Sequence, residues 1–187
     1  EHLLLHDGDM VNFSISDKIP PAALEASPDG GIQVCATEPG NYTCELATGK
    51  IVTLAIPNIP KPVAIQGPWT VKFPDGWGAP AQIQMEKLIA WNKHSNAGVR
   101  YFSGTASYHC EFDVPAELLT EDHRIELDLG DVSVMAEVIL NGQRLGILWN
   151  APFQLDVTSV LHAGQNTLEI AVANLWVNRL IGDQHLQ

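Results

Sequence analysis

Glu111 and Asp113, and again Glu126 and Asp128, stand two residues apart in runs where apolar and polar side chains alternate. On a strand, positions i and i+2 share one face about 7 Å apart. Two carboxylates roughly 5 to 10 Å apart can cleave a bond between sugars by acid–base chemistry. The same alternation is what a strand with one wetted face produces, and no surrounding run marks these acids for a raised pKa. The wetted face is the preferred reading. Ser103 in "YFSGT" lacks the Gly-x-Ser-x-Gly frame of a nucleophile elbow. His2, His6, His94, His109, His123, His162 and His185 show no zinc-type spacing with cysteine or acid. His2 and His6 would share a strand face, but a metal pair there is not expected. Asp7-Gly8-Asp9 and Asp128-Leu129-Gly130-Asp131 resemble fragments of calcium loops without the regular run of oxygen ligands. No catalytic residue and no metal ligand set is read, and no cofactor is expected beyond, at most, a structural calcium.

The chemistry that remains is recognition. Five tryptophans, Trp69, Trp77, Trp91, Trp149 and Trp176, are many for 187 residues. Flat rings stack on the C–H faces of sugars, while neighbouring Asn and Arg side chains bond the hydroxyls. Trp77 lies in "PDGWGAP", rich in Gly and Pro, and is the ring most expected to be exposed. Trp149-Asn150 follows a strand and precedes Ala151-Pro152, while Trp176 sits in "NLWVNRLIGD" with Asn178 and Arg179. Trp77, Trp149, Asn150, Trp176, Asn178 and Arg179 are therefore the candidate carbohydrate-binding residues. Trp69 lies inside an apolar strand and Trp91 ends a helix-like stretch, so both are assigned to the core. In the 174–183 run, Asn174 and Asn178 are expected to satisfy backbone groups where a strand ends. Arg179 and Asp183 are expected to pair or to bridge to a neighbouring domain.

Such residues need a frame, and the periodicity supplies one. Short runs with period two, bounded by Gly, Pro, Asn or Asp, fill almost the whole chain. Residues 3–5 and 11–15 suggest a strand pair; 31–36, 42–46 and 50–56 suggest a meander. "PNIPKP" (57–62) carries three prolines and marks a boundary between a small β-rich segment, 1–58, and a second domain, 59–187. Beyond it, "MEKLIAWNKH" is the one helix-like stretch, "GVRYFSGTASYHCEFDV" reads as a long strand kinked at Gly104, and Asn141-Gly142 signals a tight hairpin. Strands turning about every ten residues predict an all-β antiparallel sandwich.

Charge and cysteines narrow the partners. The net charge of −12 is spread along the chain; an acidic surface without a basic stripe excludes nucleic acid and anionic membrane. No apolar run approaches the roughly 20 residues needed to span a bilayer. Cys35 and Cys44 flank the turn Glu38-Pro39-Gly40-Asn41, which would bring them within disulfide distance if it joined two paired strands. Cys110 reads as a buried thiol. Asn12-Phe13-Ser14 and Asn41-Tyr42-Thr43 match the N-glycosylation pattern. A disulfide with sequons points to a secreted, extracellular protein, and the first residue, Glu1, to a mature form or fragment.

In combination the motifs resemble a known family. "SGTASYHCEFDVP" followed by "IELDLGDVSVMAEVILNGQRLGILWNAPFQLDVTSVLHAGQNTLEIAVANLW" has the order of the sugar-binding-like jelly roll of family 2 glycoside hydrolases. Gly67 to Phe73, Leu88 to Trp91, Gly98 to Tyr108 and Asn174 to Asp183 together are more similar still to the C-terminal region of family 106-type α-L-rhamnosidases. The resemblance covers about residues 60–187; residues 1–58 resemble only loosely the β-rich segment that precedes that domain. It implies a galactose-binding-like jelly roll without chemistry of its own, the catalytic acids lying on a (β/α)-barrel elsewhere in the parent. Because the family continues to another strand after "NRLIGD", it also implies an incomplete piece or one paired with another chain. The expected function is a non-catalytic accessory β-sandwich of a secreted glycoside hydrolase, supporting the catalytic domain and contacting plant or microbial glycan, including rhamnose-containing glycan. An independent carbohydrate-binding module or lectin is the alternative.

Overall fold

The computed structural model describes residues 2–4, 10–12, 22–26, 31–46 and 48–185. The chain divides into two units, Glu1–Pro62 and Val63–Gln187. All described sheets are antiparallel.

Among the described residues, the strands of the first unit pair as three hairpins. β1 (His2–Leu4) pairs with β2 (Met10–Asn12), β3 (Ala22–Ala26) with β4 (Ile32–Ala36), and β5 (Gly40–Glu45) with β6 (Ile51–Ile56). This corrects the expected meander: the Glu38-Pro39-Gly40 turn does not lay β4 on β5, because each strand pairs with its other neighbour. Cys35 therefore stands opposite Ala23 in one hairpin and Cys44 opposite Val52 in another. The expected Cys35–Cys44 disulfide is not formed. Among residues 22–26, 31–46 and 48–62 no side chain is fully buried.

The second unit holds the core. β7 (Trp69–Lys72), β8 (Gln82–Met85), β9 (Thr105–Val114), β11 (Met135–Leu140), β12 (Gln143–Leu148) and β14 (Gly164–Ala173) form one six-stranded sheet in the order β12-β11-β14-β9-β7-β8. β10 (Glu126–Asp128) and β13 (Gln154–Asp156) form a second, two-stranded layer. Alternate residues of the large sheet point inward: Ala106 and Cys110 of β9, Leu168 and Ile170 of β14, Ala136, Val138 and Leu140 of β11, Trp69 and Val71 of β7. Leu127 and Leu155 of the second layer pack against them. This is an all-β, galactose-binding-like β-sandwich, as the period-two pattern implied.

Asn141-Gly142 turns β11 into β12 with both residues at positive φ, 51° and 78°, the geometry of a two-residue hairpin that follows strand twist. Three local expectations are corrected. The helix-like stretch 85–94 contains only a 3-10 turn at Trp91–Lys93, because Met85 still belongs to β8. The long strand through Gly104 is a helical turn α1 (Ala97–Arg100) followed by β9, and Asn96 Oδ1 caps α1 by accepting from Val99 N. Lastly, residues Val177–His185 form a helix, α2, after β14. Its apolar residues Val177, Leu180 and Ile181 fit an i, i+3, i+4 spacing that the short run hid.

Candidate functional site

β14, β9, β11 and β12 are in register so that Ala173 faces Thr105, Met135 faces Ala173, and Leu148 faces Ala136. One edge of the sandwich thus receives Gly104, Asn174, Met135 and Trp149 together. The loop after β7 reaches the same end, because Lys72 pairs with Ser107. All three tryptophans of the recognition set lie here and are exposed, Trp149 by 72% and Trp176 by 67%. Trp69 and Trp91 are buried, with Trp91 packed edge-on against Phe73 and Phe102.

Trp77 and Trp176 are neighbours, with ring centroids 6.4 Å apart and planes tilted by 49°. The segments that carry them are seated by close approaches at two glycines. A Cβ on Gly98 would lie 2.2 Å from the Gly78 carbonyl oxygen, so only glycine lets α1 seat the Trp77 loop. A Cβ on Gly182 would lie 2.6 Å from Cβ of Tyr101, so glycine likewise lets α2 lie against the chain before β9. The His185 ring stacks on Tyr101 at 6.1 Å.

Polar groups of the 174–183 run complete the seat. Asn174 Oδ1 accepts from Gly104 N at 2.9 Å, its Nδ2 donates to Phe102 O at 3.0 Å, and its own N–H donates to Gly104 O at 3.2 Å. Ser103, buried beside it, accepts from Arg179 N at 2.9 Å. That hydroxyl fills, from another segment, the role of a helix N-cap. Arg179 Nε lies 3.0 Å from Asp183 Oδ1, and Nη1 donates to Trp77 O at 3.4 Å. The pair is about half exposed and adds on the order of 0.5 kcal/mol. Asn178, one turn before Gly182, is half-buried.

Trp149 and Asn150 belong to the same end but stand apart. They leave the sheet from β12, two strands beyond β14, so roughly 10 Å separates their strand from Trp176's. Asn150 Nδ2 donates to Ala151 O at 3.2 Å. The return of this loop is fixed by Leu129 N, donating to Phe153 O at 2.9 Å, and by Gln154 Nε2, donating to Asp128 Oδ2 at 2.9 Å. The structure therefore brings Trp77, Trp176 and Arg179 into contact and leaves Trp149 and Asn150 as a separate ring on one rim. Of the sequon residues, Asn41 is exposed on β5, whereas Phe13 and Ser14 of the Asn12 sequon lie outside the described residues. So do His6 and Asp7-Gly8-Asp9.

The acids are deployed differently from an acid–base pair. Glu111 accepts from Gln165 at 2.9 Å, and Glu126 meets Arg124 at 3.3 Å. Hydrogen bonds from Gln154 and Gly130 hold Asp128 below the usual carboxylate range, the opposite of what a general acid requires. Asp156 is pushed up by burial, but bonds from Thr158 and the Arg124 charge outweigh this and hold it low. Burial, with the Glu111 charge, raises the Cys110 thiol, whose S–H faces Gln66 O and Glu111 O; it stays protonated at neutral pH. No group of three or more His, Cys, Asp or Glu among the described residues is arranged to hold a metal ion.

A two-layer antiparallel sandwich with its acids tied into surface bonds and three exposed rings at one end is a galactose-binding-like module. The chain belongs to the glycosyl hydrolase 2 galactose-binding domain-like family, whose model matches residues 86–184, more than half its length. It is 41% identical, over 98% of its length, to a candidate β-glucuronidase of Formosa agariphila, covering 16% of that protein. Among solved structures it is similar to a rhamnosidase of Novosphingobium sp. PP1Y, with TM-score 0.62 and 32% identity over 94% of this chain and 19% of that one. A β-glucuronidase from an uncultured Clostridium sp. matches with TM-score 0.51 and 25% identity over 63% of this chain and 24% of that one. The chain thus spans about a fifth or less of the first two proteins.

Proposed function

We propose that this chain is the accessory β-sandwich of a secreted, glycan-degrading glycoside hydrolase of α-L-rhamnosidase type, close to family 106, and that it carries no catalytic residue itself. The observation that supports this reading best is the breadth of the rhamnosidase match, which extends over both units of the chain at 32% identity. The Formosa agariphila relative favours a β-glucuronidase parent instead. Secretion rests on the exposed Asn41 sequon, since the Cys35–Cys44 argument has gone. The proposal requires no cofactor. Assaying the full-length polypeptide on aryl α-L-rhamnoside and aryl β-D-glucuronide separates the two parents. Turnover of the rhamnoside alone is the expected result; turnover of the glucuronide alone overturns the rhamnosidase assignment, and turnover of neither overturns both.

Direct glycan contact is the second reading, and the Trp77–Trp176 pair favours it, since two exposed rings side by side form a stacking surface. Against it, the nearest polar groups, Asn174, Ser103 and Arg179, already bond the protein's own backbone or Asp183. Calorimetric titration with rhamnose, galactose and pectin- or gum-derived oligosaccharides tests it. Saturable binding that Trp77→Ala abolishes would make the rings a sugar site.

A further inference from the structure

Helix α2 faces the wrong way for a surface helix. An amphipathic helix at a domain surface turns its apolar stripe to the core and its polar side to water. Here the side that lies against the sandwich is Gly182, with Asn178 and His185 one turn away on either side. Leu180 and Val177 point away from that contact and Ile181 flanks it, all three exposed, Leu180 by 63%. Leu175 and Trp176, exposed just ahead of the helix, extend the stripe towards Trp77. Single exposed apolar side chains are ordinary, but a continuous stripe of five marks a surface that is covered in the working protein. The helix is also held too firmly to turn over: Gly182 leaves no room for rotation against Tyr101, and Ser103 fixes Arg179 N.

We infer that the outward stripe of α2, Val177, Leu180 and Ile181 with Leu175 and Trp176, is the seat for another domain of the same polypeptide. This rests on the proposal that the chain is one part of a larger hydrolase. The occupant is argued from length and chemistry. The proteins that match nearly the whole of this chain are five to six times longer, at 19% and 16% coverage, so most of such a polypeptide lies outside this module and is linked to it covalently. Covalent linkage makes a large, purely apolar contact effective without added polar recognition. On that face the hydrogen-bonding groups are the Trp176 indole and the Gln184 amide beside Leu180, few enough to suit a mostly apolar protein face better than a hydroxyl-rich glycan. Arg179 and Asp183 lie along its flank as an ion pair, the arrangement of a polar rim around an apolar centre.

Site-resolved maleimide labelling of the full-length polypeptide tests this. Leu180→Cys is compared with Gln143→Cys, an exposed position at the far end of the sandwich, and each variant is first shown to retain the wild-type circular dichroism spectrum and melting temperature. The expected result is labelling at 180 at least tenfold slower than at 143, independent of protein concentration and of added oligosaccharide. Equal rates at the two positions overturn the inference. Protection that grows with protein concentration assigns the stripe to a second copy, and protection that appears only with oligosaccharide assigns it to glycan; either overturns it as well. The parent's activity does not enter the readout. Equal labelling in an active rhamnosidase sinks only the docking surface, whereas slow labelling in a protein inactive on both glycosides sinks only the hydrolase assignment.

Discussion

The two ends of the sandwich are closed by different chemistry. At the end where β11 turns into β12, Asn166 is buried and fully engaged: its Oδ1 accepts from His162 N and Asn141 Nδ2, and its Nδ2 donates to His162 O and Gly164 O. Asn141 adds a bond from its Nδ2 to Val160 O and accepts from Thr167 N. At the other end, Asn174 performs a similar service for Phe102 and Gly104, yet Trp77, Trp149, Trp176 and the α2 stripe remain in water around it. The first end satisfies itself. The second is internally ordered but leaves its apolar groups exposed, and the proposed docking surface rests on that asymmetry.

Substitutions at the two ends should separate these roles. The largest effect is expected from Asn166→Ala, which removes four hydrogen bonds, to His162 N, His162 O, Gly164 O and Asn141 Nδ2, at about 0.5–1.5 kcal/mol each. A loss of about 3 kcal/mol in urea unfolding is the prediction, and a loss below about 1 kcal/mol would mean that the turn stands without its asparagine. Next, Gly182→Val forces a Cβ into Tyr101 and is expected to cost about 2 kcal/mol, with hydrogen-exchange protection falling over 177–185 alone. Uniform loss of protection would show that α2 is integral to the core rather than seated on it.

Acid titration probes the ties of Asp128, beneath the Trp149 loop, and of Asp156. Their folded-state pKa values are depressed. Their contribution is therefore complete above the ordinary carboxylate pKa of about 3.8 and is lost as the pH falls through the lower folded values. Asp128→Asn should flatten the drop in unfolding midpoint between pH 5 and pH 2.5; an unchanged slope would remove Asp128 from the acid response. The smallest effect is expected at the open rim. Trp149→Ala and Trp176→Ala should each change the stability of this chain by no more than about 0.5 kcal/mol. A loss above 2 kcal/mol at either ring would mean that it packs within the module, and the contrast between the two ends would fail.

Much of the fold was legible because its signals are local. The alternation in "SYHCEF" and "NTLEIAV" gives β9 and β14, and Asn141-Gly142 gives their neighbour's turn, since positive φ is a property of those two residues alone. Trp77 announced its exposure through the Gly and Pro around it, and Trp69 its burial through the apolar strand that holds it. The Cys35–Cys44 pairing failed because a turn signal says where the chain bends and not which strands then pair. Helix α2 was missed because nine residues with a central glycine carry little helical propensity; it forms where Ser103 and Tyr101, more than seventy residues earlier, supply a cap and a floor.

By itself, then, the sequence determined the strand periodicity and the tight turns, which depend on neighbours within a few positions, and the acidic charge of −12, which composition alone sets. It also placed the candidate residues Trp77, Trp176 and Arg179 on the page without saying that they touch. Only the tertiary structure decided that, by bringing the loop after β7, the start of β9 and the end of β14 to one edge, and by fixing α2 with its apolar side outward. The physical reason is that the face a short helix shows to water depends on what holds its other face, and here the Gly182–Tyr101 contact does so across eighty residues of chain.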